Sequence, residues 1–158
     1  MRARAMLRAT VVIGSLTALA GCATGGGMAK MSADEAIEKR KALMKEQGAA
    51  WRNVQDKAKA GQVAAIAVDA EKLVSTARQI PALFPEGSLE PAKSAAKPEI
   101  WQKRADFDAA AKNMESLSLR LRDAAQANNA GQMQALVKDY GRLACGTCHT
   151  PFRVPPKK

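Results

Sequence analysis

This sequence predicts an all-α chain folded as an antiparallel four-helix bundle, and three observations carry the prediction. Apolar residues recur at helical spacing in four separate stretches. No period-2 run of strand length appears anywhere. Aromatics are 4% of the chain, and much of its 47% hydrophobic class is alanine, which leaves too few bulky or β-branched side chains for an all-β sandwich. At 158 residues there is room for one domain of ordinary size.

Residues 1–21 read as an address and not as fold. Arg2, Arg4 and Arg8 precede an uncharged run from Ala9 to Ala20, which has the length of a signal-peptide core and is too short to span a bilayer. Leu19-Ala20-Gly21-Cys22 matches a bacterial lipobox, in which the Cys22 thiol is acylated and becomes the new N-terminus. Ala18-Leu19-Ala20 also reads as an ordinary A-x-A cleavage site. Plain cleavage would leave Cys22 as a lone thiol in an oxidising compartment, which favours lipidation. Residues 22–31, with Gly25-Gly26-Gly27, form a flexible tether, and the folded domain occupies 32–158. The formal charge is +10, of which the three signal arginines are part. The expected location is the periplasm, on a membrane tether through Cys22.

The first helix starts at an N-cap of Ser32 or Asp34 and carries Ile37, Met44, Trp51 and Ala58 every seven residues, with Arg40, Gly48 and Val54 between them. Gly48 costs that helix about 1 kcal/mol relative to alanine, and Ala60-Gly61 ends it. A second stripe runs Val63, Ile66, Ala70, Leu73, Val74, Ala77, Ile80 and stops at Pro81. Pro81 to Pro98 holds four prolines and Gly87, so it is a loop, although Leu83, Phe84 and Leu89 predict that it packs against something. The third helix follows Pro98, with Ile100, Arg104, Phe107, Ala111, Met114, Leu117, Leu121 and Ala125 inward, and ends near Asn128-Asn129. The fourth starts after Gly131, with Met133, Leu136, Val137, Tyr140 and Ala144 inward, and ends near Pro151. Four such helices with short turns and one long crossing loop make the bundle. Its alanine-rich faces supply little apolar volume, so a bulky cofactor in the core would help it.

Cys145-Gly146-Thr147-Cys148-His149 is the attachment signature for haem c. Two thiols three residues apart can each form a thioether to one vinyl group, and the adjacent histidine is then held under the iron as an axial ligand. A thioredoxin-like C-x-x-C belongs at a strand-to-helix turn, and this chain has no strand pattern. Structural zinc wants four ligands, and only Cys145, Cys148 and His149 are on offer. A chance motif or a plain disulfide staple is the bland alternative.

The sequence resembles the cytochrome c' (c-prime) family, the class II c-type cytochromes, from about Asp34 to Arg153. The resemblance rests on the C-terminal placement of the motif and on Phe152-Arg153 after the histidine. It extends to Leu83-Phe84-Pro85-Glu86-Gly87-Ser88, Glu99-Ile100-Trp101 with Phe107, and Arg40 with Met44 and Gly48. Within the family, the position four after this arginine is often a leucine that leaves iron five-coordinate and high-spin; a low-spin branch carries a methionine as sixth ligand. Met44 resembles the second branch. Its plain alternative is core packing, the usual use of a methionine at helical spacing.

The resemblance further implies that Arg40 reaches a haem propionate, the alternative being a solvated arginine. Gly48 would make room for the flat ring, or else mark an ordinary kink. Arg153 would screen the same end of the haem, or else belong to a free basic tail. Trp51, Phe84, Trp101 and Phe107 read as core or haem packing.

The function expected is one-electron transfer in the periplasm by a single covalent haem, its iron held by His149 and Met44. Periplasmic or membrane redox proteins are the expected partners. The alternative is high-spin binding of nitric oxide or carbon monoxide, which needs an open sixth position. A third reading is a haem-free lipoprotein scaffold. No acid-base or nucleophilic constellation accompanies the motif, so no enzyme is expected. Nucleic acid is not an expected partner, because the positive charges are dispersed among acids. Homodimers through the first two helices are common in the family, and nothing in this sequence decides the point.

Overall fold

The computed structural model describes residues 31–156. The signal peptide, Cys22 and nearly all of the tether lie outside them. Four helices build the bundle: α1 (Ala33–Lys59), α2 (Ala67–Gln79), α4 (Arg104–Gln126) and α5 (Ala130–Tyr140), with the short α3 (Glu99–Gln102) before α4 and α6 (Thr147–Phe152) at the C-terminus. Among the described residues the only β pairing is an isolated bridge between Ala96 and Arg153.

The local chemistry explains the ends. Ser32 caps α1 by accepting from the Glu35 N–H at 3.2 Å, with Asp34 and Glu35 at the positive end of the helix dipole. Gly61, at φ +70°, reverses the chain after α1, a conformation that an L side chain resists. The second stripe begins as a single 3₁₀ turn, Ala64–Ile66, and settles into α2 one turn later than its apolar pattern. The third is interrupted at Lys103 (φ −121°, ψ 51°), which separates α3 from α4. The fourth begins at Ala130, two residues earlier than the sequence suggests, because Asn129 caps it by accepting from the Gln132 N–H at 3.0 Å.

Most of the inward face the sequence predicts forms the core, whereas Met44, Trp51, Ala58, Arg104 and Val137 are only half-buried. Ile37, Val54, Ile66, Leu73, Phe107, Met114, Leu121, Met133 and Tyr140 are all buried. Much of the rest is alanine, which lets α2 and α4 pack closely. The crossing loop packs through Leu83 and Phe84, whereas Leu89 is 37% exposed. Phe84, Phe107 and Phe152 form an edge-to-face series, with ring centroids 4.8 Å and 5.4 Å apart, that joins the loop, α4 and α6. Arg104 reinforces it by donating to the Phe84 and Pro81 carbonyls at 2.9 Å each.

Candidate functional site

The attachment signature does not sit on an ordinary α-helix. Between α5 and α6 the chain winds into a π-helical segment, Gly141–Gly146, that contains Cys145. Widened turns of this kind occur often at functional sites. Two side chains secure it through one carbonyl. Asn113 Nδ2 of α4 donates to Leu143 O at 2.7 Å, and Thr147 Oγ1 donates to the same oxygen at 2.6 Å. Pro151 falls inside the last turn of α6, so the helix runs through to Phe152 and does not stop at the proline.

Cys145 and Cys148 are half-buried free thiols. Burial pushes both pKa values up, Cys148 to about 11 with Cys145 adding to its shift. That is the reverse of a disulfide-exchange thiolate, whose pKa is lowered. Among the described residues no three Cys, His, Asp or Glu side chains converge as a metal-binding group, so the two thiols and His149 do not form a zinc set. His149 stands beside them with its pKa lowered, first by partial desolvation and then by Arg153. The shift favours the neutral imidazole, the form with a lone pair to offer.

The remaining candidate residues lie on α1. Arg40, Met44, Gln47 and Trp51 follow one another at helical spacing along one face. Met44 and Trp51 are half-buried against the core, and Trp51 stacks on Tyr140 at 4.6 Å. Among the described residues α1 packs on α2 and α5 and makes no close backbone approach to residues 141–152. The structure therefore does not bring Met44 and His149 together. Gly48 is not demanded by the protein's own packing. A Cβ there would meet only the flexible end of Arg52, at 3.6 Å.

Arg40 is 4% exposed. Nη1 donates to Ser88 Oγ at 3.2 Å, and Nη2 donates to Ser88 O and Ser94 Oγ at 2.9 Å each. The guanidinium also lies 4.8 Å over the Phe84 ring. The expectation of a solvated arginine fails on this geometry, and its two terminal nitrogens already serve the loop. What remains is Nε, which is buried and has no partner. No carboxylate pairs with this cation among the described residues.

The loop that Arg40 holds is tied in turn to the C-terminal segment. Lys97 N donates to Phe152 O at 3.0 Å and Val154 N to Ala95 O at 2.8 Å. Arg153 itself is exposed and spans the bridge with Ala96.

These residues fit a haem on grounds of their own chemistry. Arg40 Nε and Gln47 Nε2 are the only buried side-chain polar atoms without a partner among the described residues. Both are on the α1 face that carries Met44. A buried cation needs a negative partner, and buried N–H groups need acceptors. A propionate-bearing ring attached at Cys145 and Cys148 would supply the negative partner that Arg40 lacks.

The sequence stripe contains Gln47 only as a polar intruder on an inward face, three residues after Met44, and that intrusion was its one signal. Ser88, Ser94 and Asn113 carry no such mark, because their roles exist only once distant segments meet.

The chain matches the cytochrome c' family over residues 35–153. It is 31% identical over 157 residues to the cytochrome c' of Rhodopseudomonas palustris, spanning 87% of this chain and 94% of that protein. To the cytochrome c' of Pararhodospirillum photometricum it is 34% identical over 84 residues, or 53% of this chain and 66% of that protein. The match to Rhodospirillum rubrum cytochrome c' spans 56% of that protein. Among solved structures, cytochrome c' from Thermochromatium tepidum superposes with a TM-score of 0.69 at 26% identity, covering 80% of this chain and all of that one. A further cytochrome c', with ligand-controlled dimer dissociation, superposes at 0.70 and 24% identity, covering 78% of this chain and 98% of its own. Cytochromes c' are periplasmic in these bacteria. This chain belongs to the cytochrome c' family, whose members carry one covalent haem c.

Proposed function

We propose that the protein is a one-electron carrier whose haem lies between His149 and Met44, accepting an electron from one periplasmic or membrane redox partner and passing it to another. The observation that carries the reading is the α1 face itself. Met44 lies there between two buried nitrogens, Arg40 Nε and Gln47 Nε2, that lack protein partners. When bound, the haem supplies a one-electron iron couple, and a thioether ligand favours its reduced state.

The chain's own residues do the rest. Cys145 and Cys148 fix the ring covalently, and His149 offers a neutral imidazole. Arg40 sets its charge against a propionate through Nε, while its terminal nitrogens hold the loop. Trp51 stacked on Tyr140 and Phe84 under Arg40 put aromatic rings beside the two ends of the α1 face. Two protein ligands leave no open position for chemistry, so the protein acts as a carrier and not as a catalyst. Cys22 anchors it to a membrane by its acyl chains, two of which suffice for stable attachment.

The test is the visible spectrum of the haem-loaded protein in both redox states, compared with Met44→Ala. The expected outcome is a low-spin, carbon monoxide-resistant wild type and a high-spin variant that binds carbon monoxide. Identical spectra would assign Met44 to packing. The second reading, gas binding, would then stand, supported by the nitric oxide complex of a cytochrome c' variant from Alcaligenes xylosoxidans that shares this fold with a TM-score of 0.70. Membrane fractionation of Cys22→Ser tests the anchor separately.

A further inference from the structure

We infer that Gln47 is a hydrogen-bond donor to the distal side of the haem, able to bind an anion or a diatomic ligand when the Met44 position opens. The inference rests on the reading that the ring lies against this face of α1.

Gln47 is 8% exposed, and its Nε2 is buried without an acceptor. A bundle core normally fills such a position with an aliphatic side chain, since an unsatisfied N–H is a cost that leucine or methionine avoids. The described residues supply no acceptor, and Gln47 is one helical turn beyond Met44 on the same face, so the nearest unassigned chemistry is that of the cofactor's distal side. Arg40 Nε, the other unpartnered nitrogen, is one turn to the opposite side of Met44. The two are not equivalent. Arg40 carries a charge and suits a propionate carboxylate. The Gln47 amide is neutral, and suits the outer atom of a small ligand seated where the thioether would be.

The experiment uses the haem-loaded protein with Met44→Ala, alone and combined with Gln47→Leu or Gln47→Met. Carbon monoxide probes the reduced state and azide the oxidised state. A donor at Gln47 lowers the stretching frequency of bound carbon monoxide, so both double variants should show it at higher frequency than Met44→Ala. Azide should bind at least tenfold more weakly once the amide is gone, the usual consequence of losing a hydrogen bond to a charged acceptor. Single Gln47→Leu or Gln47→Met should leave thermal stability unchanged or raised, because each removes an unpaired donor. If Met44→Ala binds carbon monoxide but neither double variant changes the frequency or the azide affinity, the Gln47 inference is wrong. If Met44→Ala has the wild-type spectrum, Met44 is not the sixth ligand and the proposed carrier reading fails. Gln47→Leu and Gln47→Met are then compared directly with wild type, and an unchanged carbon monoxide frequency and azide affinity there overturn the Gln47 inference.

Discussion

Asn113 and Leu143, thirty positions apart in sequence, meet through a 2.7 Å hydrogen bond from the Asn113 amide to the Leu143 carbonyl. The bond joins the middle of α4 to the π-helical segment that carries Cys145. Thr147, between the two cysteines, donates to the same carbonyl. One wall of the haem site is therefore referenced to α4. The crossing loop joins this C-terminal segment to α1, bound to Arg40 at one end and to Phe152 and Val154 at the other.

Asn113→Ala should cost about 1 kcal/mol, the ordinary value of one such bond. The loss should appear locally, as faster hydrogen exchange of the amides in 141–148 with little change in α2. A uniform change across the bundle would mean that Asn113 contributes to global packing and not to the turn.

Arg40 distinguishes charge from shape. Arg40→Lys keeps a cation but cannot reach Ser88 and Ser94 together, because an ammonium lacks the planar fork. Both Arg40→Lys and Arg40→Leu should release the loop, detectable as new proteolytic cleavage between Phe84 and Pro98. Each should destabilise by roughly 2 kcal/mol in urea unfolding, the scale of charge-assisted bonds. Wild-type resistance to protease in Arg40→Lys would show that the aromatic series holds the loop without it.

The helices were legible because their signals are periodic and local: the stripes through Phe107, Leu121 and Met133 put those residues in the core where they are found. The attachment motif is legible because Cys145, Cys148 and His149 fall within five consecutive residues. The π-helical winding was not, since it depends on α4 supplying Asn113 from a distant part of the chain. The family resemblance assigns Arg40 to a propionate, and nothing in the sequence marks the loop's claim on it through Ser88 and Ser94. Leu89 was read as packed because it is apolar; the turn after Gly87 (φ +78°) leaves it 37% exposed while the neighbouring Ser88 is buried.

Tyr140 should tolerate the loss of its hydroxyl better than its burial suggests. Its pKa is strongly raised by burial, so it stays neutral, and it shares a 2.6 Å hydrogen bond with Ser118. Ser118 also donates to Met114 O at 2.7 Å, a bond that Tyr140→Phe leaves intact. The ring keeps its stack on Trp51. Tyr140→Phe should cost about 1 kcal/mol, and a double-mutant cycle with Ser118→Ala should recover most of that as coupling. Zero coupling would mean that each hydroxyl acts alone.

Glu115 gives the bundle a defined acid sensitivity. Its carboxylate accepts from Lys112 Nζ at 2.7 Å and Arg78 Nε at 2.8 Å, which ties α4 to α2. These bonds, Lys112 first and Arg78 second, hold its pKa below the ordinary value despite opposing desolvation. A carboxyl whose pKa is lower folded than unfolded stabilises the fold above the unfolded value and loses that contribution as pH falls through the folded one. Urea midpoints should therefore drop as pH is lowered below about 4.3, the usual glutamate value. Glu115→Gln should lower the midpoint at pH 7 and flatten the acid limb, bringing the two proteins together at low pH. Both cations are mostly exposed, 73% and 54%, so 0.5 M salt (about the order at which screening reaches contact distances) should shrink the difference at pH 7. Parallel pH profiles for wild type and Glu115→Gln would show that other carboxylates govern the acid limb and that the clamp between α2 and α4 is energetically neutral.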